Sequence, residues 1–179
     1  MKTGIVLLLA LLFSQAPTES MKCSCTWGGS FLDVSQDASL VALVRVKRHT
    51  SFKRIYDNRK PMSMEVEVME VLKGREDRKS LIIWGDNGDL CRPFISNYPK
   101  GSVWVIAFSP GSSSRGQREE RNSDYSISIC GEYWLEVDRG RVRGVIEGEK
   151  EYVRNQNGKF IRNNQVLSWG EFRNRFLRN

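Results

Sequence analysis

Histidine is almost missing from this chain: His49 is the only one among 179 residues. It sits in a Lys47-Arg48-His49 cluster at the expected end of a strand, where a solvated role suits it better than catalysis. The sequence also lacks Gly-x-Ser-x-Gly, His-Glu-x-x-His and phosphate-loop patterns, so it offers none of the familiar nucleophile, zinc-hydrolase or nucleotide signatures. These absences point away from an enzyme and imply no cofactor. No internal repeat is present, and the unbroken apolar run Ile5 to Phe13 is too short to span a bilayer.

That short run reads instead as an export signal. Lys2 supplies the positive start, and small or polar residues follow the apolar stretch. Cleavage after Ala16 or after Ser20 fits the small-residue rule. Pro17 would directly follow the first cut, which favours the second and gives a signal over residues 1–20. Lys22 stands where a lipid-anchored protein needs a small residue, so a soluble secreted product, extracellular or periplasmic, is expected. About 160 residues then remain, enough for one domain with a real core.

The chain carries a formal charge of +7, which favours acidic partners such as glycans, anionic lipids or nucleic acid. Export argues against nucleic acid. The stretch Asp138 to Asn179 holds ten bases and five acids, and Arg139, Arg141, Arg143, Arg173 and Arg175 are its candidate polyanion-binding residues. The Arg115 to Arg121 segment is a second basic stretch that could hold acidic polysaccharide or a protein partner.

Cysteine is scarce but informative. Four cysteines in an exported chain, at 23, 25, 91 and 130, imply an oxidising compartment and two disulfides. A Cys23–Cys25 bond would close a tight, strained ring, which leaves two pairings that send each to a distant partner. On the chain-entropy model each such loop contributes about 4 to 5 kcal/mol. A four-thiolate zinc site is the competing reading, although the chain lacks a second closely spaced pair. In an extended backbone Cys23 and Cys25 face the body of the protein, and Ser24 faces away.

Strand signals dominate from Leu40 to Val137. Leu40 to Val46 is a continuous apolar run that ends in bases, as a mostly buried strand would be. Met64 to Leu72 begins with Met64, Val66 and Val68 on one face, then switches parity to Met69 and Val71, which predicts a β-bulge. Leu81 to Trp84 and Val103 to Phe108 are bounded by turn chemistry. Tyr125 to Cys130 alternates, with Tyr125, Ile127 and Ile129 on the core face and Cys130 pointing away. Ser109 to Asp124 reads as a long mobile hairpin loop. Trp84 and Trp104 fall at core positions. Beyond Val137, Arg141 to Ile146 and Gly158 to Leu167 suggest an added hairpin, and Ser168-Trp169-Gly170-Glu171 is a capping-box signature for a terminal helix that buries Phe172, Phe176 and Trp169. The expectation is a mostly β protein: a five-stranded OB-fold-type barrel over residues 21–137, with a basic C-terminal hairpin and short helix over 138–179 packed on the same domain. A sandwich is the alternative.

From Cys23 to Val137 the chain resembles the netrin-like group and, within it, the N-terminal domain of the tissue inhibitors of metalloproteinases. The likeness rests on the Cys-x-Cys near the expected mature N-terminus, the strand Leu40 to Arg45, the Met64 to Gly74 stretch ending Val71-Leu72-Lys73-Gly74, and single cysteines at 91 and 130. It departs from the family in lacking the third cysteine pair and the cysteine-rich C-terminal part, and in carrying Thr26-Trp27-Gly28-Gly29 after the motif. The resemblance implies a five-stranded barrel with Cys23 bonded to Cys91 and Cys25 to Cys130. It further implies an inhibitory edge of Cys23, Ser24, Cys25, Thr26 and Trp27, joined by the turn before Cys91. Cys23, as the mature N-terminal residue, would chelate the catalytic zinc of a target metalloprotease through its amine and carbonyl, and Ser24 would enter the adjoining pocket. The favoured cleavage leaves Met21-Lys22 ahead of Cys23, so this mechanism requires processing to expose Cys23. Without it, the resemblance implies a non-inhibitory netrin-like module for acidic polysaccharide or a protein partner.

Overall fold

The computed structural model describes residues 23–55, 57–112 and 114–179. The expected export signal and both candidate cleavage points lie outside the described residues.

Five strands close into a ring. β1 (Leu40–Ile55) and β2 (Asn58–Lys73) form a long antiparallel hairpin, and β3 (Ser80–Trp84) pairs with β2. β4 (Val103–Pro110) returns along β1, and β5 (Tyr125–Ser126) bridges β4 to β3, running parallel to β3. The cyclic order β1-β2-β3-β5-β4 is that of an OB-type barrel. The ring is closed but uneven, because β5 contributes only two residues.

The apolar run in β1 is continuous because both of its faces are covered. Leu40, Ala42, Val44 and Val46 point into the barrel, with Met64, Val66, Leu81, Ile83, Ile106 and Phe108. Val41 and Leu43 point outward, into a second cluster built from Phe31, Val105, Ala107, Leu135, Val142 and Phe172. The outer cluster is roofed by α1 (Phe31–Asp37) and α2 (Trp169–Phe176). α1 escaped the sequence reading, although Ser30 and Asp33 form a capping pair: the Asp33 carboxylate accepts from the Ser30 N–H and Oγ–H at 2.9 and 2.6 Å. α2 starts at its expected box, with Ser168 N–H and Oγ–H donating to Glu171.

The parity switch in β2 is a bulge. Leu43 pairs with Glu70 and Val44 with Val68, which leaves Met69 as the extra, exposed residue; a second irregularity displaces Leu72. Val71 thereby regains the barrel interior, while Leu72 serves the outer cluster.

Three elements differ from the sequence expectation. β1 and β2 continue beyond Val46 and before Met64, so their outer halves form an arm that projects past the ring. Apart from Met62 and Ser63, which are buried at its root, the described residues of that arm do not pack on a core, so its sequence has no apolar alternation to betray it. β5 ends at Ser126 instead of Cys130, because the chain leaves the ring to meet Cys25, and Ile129 is left 40% exposed instead of facing the core. The C-terminal hairpin is also more elaborate. β6 (Trp134–Asp138) extends the sheet from β4, β7 (Arg141–Gly144) turns back on it, and β10 (Gln165–Ser168) completes the row. Between β7 and β10 the chain makes a separate small hairpin, β8 (Tyr152–Arg154) with β9 (Phe160–Arg162). No helix among the described residues is long and apolar enough to cross a membrane.

Two carboxylates brace the barrel wall. Glu65 accepts hydrogen bonds from Lys47, Ser80 and Arg48, and in that order these lower its pKa from the usual 4.5 to about 2. Glu76 is lowered to about 2 chiefly by Arg78, and it also accepts from the Tyr125 hydroxyl. Because both folded-state values lie below the unfolded value, their stabilisation is complete above pH 4.5 and disappears as the pH falls toward 2. Urea titrations should therefore show a midpoint that falls steadily across that interval, and Glu65→Gln with Glu76→Gln should flatten it.

Candidate functional site

The N-terminal strip runs along the outside of the barrel and is fastened at two points. Cys23 is bonded to Cys91 and Cys25 to Cys130, with Cα–Cα separations of 5.1 and 5.6 Å across 68 and 105 residues of sequence. This is the pairing that the family resemblance implies. All four sulfur atoms lie within 4.8 Å of one another, so the two disulfides sit side by side. The compactness would suit a zinc cluster, but each sulfur is already consumed in a covalent bond and offers no thiolate.

Beyond the cysteines the backbone carries on the anchoring. The Gly28 N–H donates to the Cys130 carbonyl at 2.8 Å, and the Gly29 carbonyl accepts from Glu132 N–H at 3.1 Å. The approach is so close that a Cβ on Gly28 would lie 2.7 Å from the Cys130 carbonyl oxygen. Glycine is required there by packing. The Ile129 N–H reaches the Cys91 carbonyl, which ties the two partner segments to each other as well.

Ser24, Cys25 and Thr26 are exposed, and Trp27 is half-buried. The Trp27 indole N–H is enclosed and has no hydrogen-bond acceptor among the described residues. Beside the strip, the turn preceding Cys91 is held by Asp86, whose carboxylate accepts from Leu90 N–H at 2.8 Å, and by Asn87, which accepts from Asp89 N–H. Residues 23–27 and this turn are thus brought together by one disulfide.

The tail arginines are a different matter. Arg139 pairs with Asp138, Arg143 with Glu136, Arg173 with Glu70 and Arg175 with Glu147, at 3.9, 3.9, 2.9 and 2.5 Å. Only Arg141 of the five candidates makes no ion pair among the described residues. Four of the five candidate arginines thus have carboxylate partners, three of them distant in the chain or across a strand pair, while Lys150, Arg154, Lys159 and Arg178 of the same segment make no ion pair among the described residues. A linear charge count cannot see this.

The loop between β4 and β5 also departs from expectation. It is wrapped around Glu120, whose side chain is fully buried against Arg92 at 2.7 Å. Burial alone would push that carboxyl up, but hydrogen bonds from Arg92 and from the N–H groups of Gln117 and Ser112 outweigh it and hold its pKa below the ordinary value. Gln117, itself buried, donates to the Gly85 carbonyl at 2.9 Å. His49 likewise has a structural partner, the Tyr98 carbonyl at 2.8 Å from Nε2. Trp84 is buried and binds Asp124 through its indole N–H, and Trp104 packs against the barrel core.

No family model matches the chain, and no curated protein matches it in sequence.

Breaking either fastening should be costly. Cys25→Ser with Cys130→Ser should destabilise the fold by about 2–5 kcal/mol in denaturant titration. Replacing Arg92 with Leu leaves Glu120 buried without its cation and should cost about 3–5 kcal/mol.

Proposed function

We propose that this chain is an exported binding protein of the metalloendopeptidase-inhibitor type, a netrin-like relative that offers residues 23–27 as a preformed edge to the cleft of a zinc protease. The observation that carries the reading is the double clamp. Two adjacent disulfides fix Cys23 and Cys25 against the body and leave Ser24 and Thr26 outward on a strip whose backbone is already ordered. Ordering before binding removes a cost that a flexible segment would meet on docking.

The chemistry follows from a mature terminus at Cys23. A neutral α-amine and the neighbouring carbonyl oxygen are competent zinc ligands, and together they would occupy the open position that a catalytic zinc keeps for water or substrate. Ser24, projecting to the opposite side from the disulfide, would enter the pocket beside the metal, with Thr26 and Trp27 extending the contact. The metal belongs to the protease, and this chain needs none of its own. A terminus at Met21 would acylate the Cys23 nitrogen and remove it as a ligand. The fold would then serve as a non-inhibitory binding module.

The test is the intact mass and N-terminal residue of the secreted protein, followed by titration into zinc endopeptidases with a fluorogenic peptide. Material starting at Cys23 should inhibit stoichiometrically, and extension by a single Ala should abolish inhibition. A mature start at Met21 with no loss of protease activity on mixing would overturn the proposal.

A further inference from the structure

Seven bases without an ion pair flank one place, the arm of the β1–β2 hairpin and the β4–β5 loop facing it, while others such as Lys100, Arg141, Lys150 and Arg178 lie elsewhere. Lys53, Arg54, Arg59 and Lys60 on the arm, and Arg115, Arg118 and Arg121 on the loop, are all exposed. None of these seven makes an ion pair among the described residues, whereas on the barrel wall Arg45, Lys47 and Arg48 are paired and in the tail Arg143, Arg162, Arg173 and Arg175 are.

The strand register makes this arrangement unfavourable by itself. Lys53 stands directly opposite Lys60, and Arg54 directly opposite Arg59. Like charges at facing positions of an antiparallel pair repel, and β proteins ordinarily place opposite charges there. This same sheet does so lower down, where Arg45 faces Glu67. Two consecutive like-charged pairs, none of whose four bases makes an ion pair, are a local conflict between sequence and fold, of the kind found at functional sites.

The arm also leans on the loop. Ser51 holds a positive φ of 41°, a costly conformation for a residue with a side chain, and its hydroxyl donates to the Glu119 carboxylate across the gap. Between arm and loop lies a cleft of about 400 Å³, walled by Phe52 and Lys53 on one side and Gln117 and Arg118 on the other, with Trp84 at its base. A neighbouring cavity of about 410 Å³ shares Ser51, Trp84 and Glu119 and reaches Arg121. The two carboxylates lining this groove are engaged: Glu119 by Ser51, and Asp124 by the Trp84 indole and the Arg121 N–H.

We infer that this groove is a binding site for a linear acidic polysaccharide, whose sulfate or carboxylate groups would span from Lys53 and Lys60 on the arm to Arg118 and Arg121 on the loop. A polyanion turns the facing repulsions on the arm into shared contacts, and release of its counterions supplies the driving force. The alternative polymer, single-stranded nucleic acid, needs aromatic faces on which bases can stack. The groove provides little of this: Trp84 is 4% exposed, and Phe52, although 47% exposed, has one ring face covered by the Arg59 guanidinium at 4.4 Å. The site uses none of residues 23–27, so its success or failure is independent of protease inhibition.

The experiment uses the full secreted chain and heparin oligosaccharide as probe, measured by calorimetry across a salt series with circular dichroism as the folding control. Replacing Lys53, Arg54, Arg59 and Lys60 with Gln, or Arg115, Arg118 and Arg121 with Gln, should weaken binding about tenfold or more and flatten the salt dependence. The matched tail variant, with Arg139, Arg141 and Arg143 changed to Gln, should bind as the parent does. Lys60→Glu gives a sharper signature. It should raise the melting temperature by relieving the repulsion from Lys53 while lowering heparin affinity, a combination that damage to the fold cannot produce. Equal losses in the arm and tail variants would reduce the effect to net charge and overturn the inference. So would elution from heparin below physiological salt, or tighter binding of a single-stranded oligodeoxynucleotide than of heparin.

Discussion

The fold depends on β1 being buried on both faces. Its even-numbered residues from Leu40 to Val46 fill the barrel, and Val41 and Leu43 seat the outer cluster, so one short stretch nucleates two cores at once. β4 repeats the arrangement, with Ile106 and Phe108 inward and Val105 and Ala107 outward. Most antiparallel strands keep one wet face. Here the wet face is given up, and the C-terminal strands and both helices exist to cover it. The chain after Val137 is therefore a structural part of the barrel wall, with Val142 and Phe172 fully buried in the outer cluster.

This two-sided burial also sets where the molecule can present itself to partners. With the β1–β4 flank covered, the clamped strip at residues 23–27 and the arm with its opposing loop are among the features left exposed, alongside the β8–β9 hairpin. The first two are held on rigid supports. The strip is fastened to segments on either side of β4, and the loop is folded over the buried Glu120–Arg92 pair. Each surface is stiff for a different reason, one covalent and one electrostatic.

Much of the barrel was legible in the sequence because its signals are periodic. The alternation of Met64, Val66 and Val68, the parity switch near Met69 and the capping box at Ser168 each record one face of one element. What was illegible lacked a face to record. The described residues of the arm from Lys47 to Lys60 are exposed or half-buried and carry no apolar pattern. α1 is a short helix whose only advertisement is Ser30 with Asp33. The β4–β5 loop looked like a solvated tract because its centre is a charged residue, and composition assigns glutamate to the surface. At the candidate sites, Ser24 is exposed as expected, but so are Cys25 and Thr26, because the strip is held by disulfides and does not form a strand with in-out alternation. Four of the five tail arginines have carboxylate partners, on β2, on β6 and at the bend after β7, and only that of Arg139 adjoins it in sequence, so a linear charge count does not reveal the pairing.

The clamp imposes an order on how the molecule is made. A chain delivered N-terminus first presents Cys23 and Cys25 long before either partner has emerged, and the bond to Cys130 closes a loop of 105 residues. Cys23 can find its partner once Cys91 is present, but Cys25 waits for Cys130, so the strip is the earliest segment to arrive and the last to be fully placed. A chain that ends before Cys130 therefore carries the strip in sequence without the bond that gives it its shape.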